Sequence, residues 1–166
     1  MTARRRPLDF LRTVLGSLCA TLLAVLLLAV LWGVVSRYLL GGQARWTEES
    51  ARMLLVWLTF AGAALAFGHR AHLGLDALVM RFDPAVRRFS AGLAQVLVLI
   101  FAGYLLVYGG GRLCLETFAL GQMLITLPVA KGWIYLSVPF AGICIAAFAI
   151  EEMILPHPES KEEIDG

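Results

Sequence analysis

The side chains able to do chemistry crowd around one apolar stretch. Arg45, Glu48, Glu49 and Arg52 lead into it, and His69, Arg70, His72 and Asp76 follow it. His69 and His72 stand three apart, so one helix face could present both to a metal or a haem iron. A haem site places its histidines within helices that face the group. These two lie at the edge of an apolar run, and His157 lies in a polar tail. They read as structural or interfacial residues, and neither a cofactor nor a metal is expected. The carboxylates read as helix-start chemistry. Thr47 fits an N-cap, and Glu48 and Glu49 fall in the first turn, where the helix dipole favours anions. Glu48 and Arg52 are four apart and can pair along the helix. Gln95 and Ser137 are the notable polar groups inside other apolar runs, each suited to bond a neighbouring helix. There is no Ser/His/Asp set, no pair of buried carboxylates and no phosphate loop, so no enzyme activity is expected. Cys19, Cys114 and Cys144 have neither CxxC nor Cys/His spacing and read as small packing residues.

Composition says what must position these groups. The chain has 166 residues, 60% hydrophobic and 16% charged, and its mean hydropathy is +0.79. Soluble domains lie nearer half apolar and a quarter charged, so this is an integral membrane protein. A formal net charge of +2 is too small to suggest a nucleic-acid partner. Four apolar runs stand out, over 14–35, 53–68, 89–111 and 132–150. Crossing ~30 Å of hydrocarbon takes about 20 helical residues. The second run reaches that length only if its helix starts near Thr47, with Glu48, Glu49 and Arg52 at the membrane surface. A signal-peptide core is only about 7–15 residues long, so the first run reads as a retained span. The expected fold is all-α, with four transmembrane helices over about 13–36, 47–68, 86–111 and 129–150. A basic tail (1–12) precedes this membrane domain and an acidic one (151–166) follows it.

Between spans two and three, Leu75, Leu78, Val79 and Phe82 follow the i, i+3, i+4, i+7 pattern, while Asp76, Arg81 and Asp83 fall off it. This predicts a short amphipathic interfacial helix over about 73–83, lying on the membrane face. Pro139 falls inside span four and denies the Tyr135 carbonyl its helical donor, so a kink is expected. Lys and Arg concentrate in the N-terminal tail and in the loop after span two, which puts both termini in the cytoplasm. Trp32, Tyr38, Trp46, Tyr104, Tyr108, Trp133 and Tyr135 then fall at or near the outer ends of the spans, as an interfacial belt requires, with Trp57 deeper. Small residues recur at helical spacing: Gly16, Ala20 and Ala24, then Gly62 and Ala66, then Gly142 and Ala146. They let helices pack closely in lipid, within this chain or against a larger membrane partner. The middles of spans one, three and four hold no charge, so the chain is poorly equipped to carry a solute alone.

The stretch from Trp46 to Asp76 resembles the small membrane subunit, of DctQ type, of the tripartite ATP-independent periplasmic (TRAP) transporters of bacteria and archaea. The shared pattern opens span two with Trp46, Glu48, Glu49 and Arg52. It continues with Val56, Trp57 and Leu58, then the patch Gly62, Ala63 and Ala64, and closes with His72 and Asp76. The approach to the last span is similar too, through Pro128, Trp133, Tyr135, Pro139 and Gly142. Leu73 and Leu75 stand where isoleucine and valine are commoner. The resemblance implies a non-catalytic subunit of the inner membrane that braces a large multi-span subunit. That partner would hold the substrate and sodium sites, and a periplasmic binding protein would deliver an organic acid. On this view Trp46, Glu48, Glu49, Arg52, Trp57, Gly62, His72 and Asp76 position the span in the bilayer or contact a partner. Two other readings stay open. One is a small membrane sensor or assembly factor whose acidic tail binds a cytoplasmic partner, and the other is an autonomous four-helix transporter.

Overall fold

In a computed structural model, residues 8–39, 41–42, 45–69, 84–124, 126 and 128–154 are described, with 84–91 described by their backbone alone. Helix α1 runs over Asp9–Leu39 and α2 over Arg45–Gly68. The third span joins three segments: α3 (Pro84–Ile100), a π-helical segment π1 (Phe101–Gly109) and α4 (Gly110–Ala119). The fourth joins α5 (Gly132–Tyr135) to α6 (Ser137–Ile154). In hydrocarbon every main-chain N–H and C=O must be satisfied within the protein, so long apolar sequence closes on itself as helix. Four helical stretches are long and apolar enough to cross a membrane: Asp9–Leu39, Arg45–Gly68, Gly92–Ala119 and Gly132–Ile154. The protein is an all-α membrane protein. Its described residues form no strand, only an isolated antiparallel bridge between Met123 and Ala130.

Local chemistry sets the ends of these helices. Asp9 in the first turn and Arg37 in the last complement the dipole of α1. Gly41, at φ +69°, lets the chain turn after it. The third span continues past Arg112, which pairs along the helix with Glu116 at 2.7 Å. It stops just before Gly121, at φ +60°. That extension leaves Tyr104 well inside the span, away from the outer end where an interfacial belt would hold it. The fourth span divides at Leu136, and Pro139 lies in the first turn of α6, where a missing N–H matters least.

The spans pack in the order one, two, four, three, with α1 on α2, α2 on α6, and α6 on π1 and α3. Leu15, Ala64, Ala141, Cys144 and Phe148 form the common core. Close approach needs glycine at two positions. A Cβ on Gly142 would meet the Leu106 Cβ at 2.7 Å and the Ala102 carbonyl oxygen at 3.2 Å. One on Gly68 would meet the Phe148 ring at 2.8 Å. Gly16 and Gly62 face open space instead, so packing among the described residues does not use their missing side chains.

Candidate functional site

Charge gathers at the two ends of the bundle. At one end Arg12, near the start of α1, reaches both of the other helices that finish there. Its Nε donates to the Gly68 carbonyl at 2.8 Å, closing the C-terminus of α2. One terminal nitrogen pairs with Asp9 at 2.7 Å and the other with Glu151 of α6 at 2.5 Å. The second Glu151 oxygen accepts the Leu8 N–H at 3.1 Å. The guanidinium also lies over the Phe148 ring, 5.3 Å from its centroid. Only 13% of the Arg12 side chain and 5% of that of Glu151 are exposed, so this pair sits largely out of water.

The other end, which carries Trp133, is where α2 begins. Glu48 and Arg52 pair at 2.6 Å along an exposed helix face, as their spacing predicts. Glu49 turns the other way and accepts the Thr126 N–H at 2.8 Å. That bond ties α2 to a hairpin-like loop. The loop closes through Leu124 N–H to the Val129 carbonyl and Lys131 N–H to the Gln122 carbonyl, both at 2.9 Å. Trp57 adds a second tie. Its indole N–H donates to the Trp133 carbonyl at 3.1 Å, and its ring tilts against Phe140. Trp46 is exposed. Between α1 and α2 lies a groove of about 300 Å³, lined in part by Val30, Gly33, Arg37, Tyr38, Thr47 and Glu48.

The structure thus sorts the residues singled out in the sequence. It brings Glu49 and Trp57 into contact with the approach to span four, and leaves Trp46, Glu48 and Arg52 at the surface. Gly62 has open space where a side chain would be. His72 and Asp76 lie outside the described residues, as do Leu75, Leu78, Val79 and Phe82 of the expected interfacial helix. Gln95 bonds a neighbouring helix, donating to the Ala149 carbonyl at 2.8 Å, whereas the Ser137 hydroxyl, at the start of α6, donates within its own span to the Ile134 carbonyl of α5. Sequence reasoning missed Arg12 and Glu151 as a pair. Their only signal was that each bounds an apolar run on the same predicted side of the membrane.

Among the described residues, no group of three or more His, Cys, Asp or Glu is placed to hold a metal ion. The contacts of Arg12 and Glu49 tie one helix to another, while Glu48–Arg52 and Arg112–Glu116 pair along exposed faces of single helices. The family model of the DctQ component of the tripartite ATP-independent periplasmic transporters matches residues 26–156. The chain belongs to the DctQ family. A TRAP transporter small permease protein of Haemophilus influenzae is 32% identical over 148 residues, spanning 87% of this chain and 88% of its own. The sialic acid TRAP transporter small permease protein SiaQ of Vibrio cholerae is 26% identical over 132 residues, spanning 80% of this chain and 75% of its own. This DctQ protein is therefore a small, multi-pass membrane subunit of a TRAP transporter.

Proposed function

We propose that this subunit braces the large transport subunit of a TRAP system in the bacterial inner membrane and has no transport site of its own. The large subunit would carry out sodium-coupled uptake of an organic acid delivered by a periplasmic binding protein. One observation carries the reading: the described salt bridges all lie toward the ends of spans, and none is at mid-span. A coupled transporter keeps ionisable groups where its solute passes. Both termini lie in the cytoplasm on this reading. The Arg12 contacts support it by putting the start of α1, the end of α2 and the end of α6 on one side. Lys and Arg favour that side as the cytoplasmic one.

The test is to solubilise native membranes gently, capture the tagged chain and reconstitute what is recovered. A much larger multi-span protein in stoichiometric amount, with uptake that needs both chains and a binding protein, is the expected result. A chain that purifies alone and by itself moves solute across liposomes would overturn the bracing role.

A further inference from the structure

The contact between Gly142 and Leu106 fixes a depth. Gly142 lies near the middle of its span, Gly132–Ile154, and so sets Leu106 of the third span at that depth. Tyr104, two residues from Leu106, is therefore near mid-depth, with about 15 Å of hydrocarbon toward either surface. Tyr104 is 67% exposed, and its ring stacks on that of Tyr108 with centroids 5.7 Å apart. The two hydroxyls differ in what they meet. Tyr108 is one turn nearer the Trp133 end and interacts with the Arg112 guanidinium. The Tyr104 hydroxyl has no hydrogen bond among the described residues.

Hydroxyls on shorter side chains meet this demand locally. Those of Thr13, Thr21 and Thr59 donate to the carbonyl four residues back. A tyrosine hydroxyl stands at the far end of a rigid ring and cannot bond its own turn. Lipid tails offer no acceptor, and from mid-depth the membrane surface is out of reach. A protein group at the same depth is the partner that satisfies it. The surroundings admit one. Gly103 is exposed with open space around it, so a second backbone can come close. The exposed large side chains from Leu93 to Tyr108 offer on the order of 900 Å², against ~800 Å² per partner in a standard interface. The display also rests on a π-helical segment, a form that recurs at functional positions. Helix α1, at the other edge of the packing order, presents Leu23, Leu27 and Leu28 at comparable depth, and lipid covers these without an unmet bond.

We propose that the face of the third span around Gly103 and Tyr104 seats the large transport subunit. One helix of that subunit would accept a hydrogen bond from the Tyr104 hydroxyl in mid-membrane. This rests on the partner reading above. The test places photo-reactive benzoylphenylalanine at Tyr104 or at Ala24 of α1, in the full chain co-expressed with the large subunit of its transporter. Light on native membranes should link the two subunits from position 104 and not from position 24. Tyr104→Phe should lower recovery of the large subunit about fivefold, while Tyr108→Phe leaves it unchanged. The seat is overturned by a cross-link from position 24 alone, by none from either position, or by one that joins two copies of this chain. It is equally overturned by full recovery with Tyr104→Phe. In all four outcomes the large subunit still co-purifies, so the partner reading survives. Loss of co-purification with the unsubstituted chain instead strikes the partner reading, and the seat with it.

Discussion

At the Arg12 end, three helices meet through one guanidinium and one carboxylate that are both largely buried. At the Trp133 end, the pairs Glu48–Arg52 and Arg112–Glu116 lie on the surface, with more than half of every side chain exposed. What ties that second end together is a bond from a loop N–H to Glu49 and another from Trp57 to a carbonyl. The difference is one of dielectric. A charge buried with its partner cannot lose that partner without being left desolvated, whereas an exposed charge exchanges its partner for water. The first end is therefore locked, and the second can yield to another protein at little cost.

Removing Arg12 is the harshest way to break this contrast. Arg12→Ala strands Glu151 and should cost about 3–5 kcal/mol, read as a large drop in the unfolding temperature of the purified chain in detergent. Replacing both residues with leucine should restore most of the loss, because the desolvated charge goes with its partner. Unchanged melting in the alanine variant would mean that the buried pair locks nothing. Gly142→Leu tests whether packing between the ends matters as much. It forces a side chain against the Ala102 carbonyl and Leu106, for about 1–3 kcal/mol. Melting and cross-linking between spans three and four should both report it.

Gentler changes sharpen the picture of the Trp133 end. Glu49→Ala leaves the Thr126 N–H without its acceptor, at about 1 kcal/mol. Faster amide exchange or protease cleavage in the loop over 121–131, with little change at the Arg12 end, is the outcome to look for. Equal loosening of both ends would refute their independence. Arg52→Ala should have the smallest effect, about 0.3–0.5 kcal/mol. Its melting should match the parent chain to within error, and a large loss would show that the surface pair bears more than its exposure suggests.

How much of this was legible in the sequence depended on distance along the chain. The four spans were legible because hydropathy is a sum over neighbours. The Glu48–Arg52 pair was legible because its partners are one helical turn apart. The partners of Arg12 and Glu49 lie across the whole fold, at Glu151 and Thr126, and no local pattern announces them. Gly142 could be marked as a packing residue from its spacing with Ala146, but what it packs against could not. The sequence ends span three at its first charge, whereas the helix itself continues past Arg112, which pairs along it with Glu116.

The packing order has a consequence for how the molecule is made. Helix α6 lies between α2 and the third span, yet it is the last of the four to be translated. Until it arrives, the inward side of π1, with Ala102 and Leu106, has no Gly142 to meet, and Arg12 has no Glu151. The earlier spans must wait in the bilayer as an incomplete set, held by the insertion machinery or by lipid. A nascent chain that stops before α6 therefore displays unfinished surfaces in the membrane, the kind that quality-control proteases recognise.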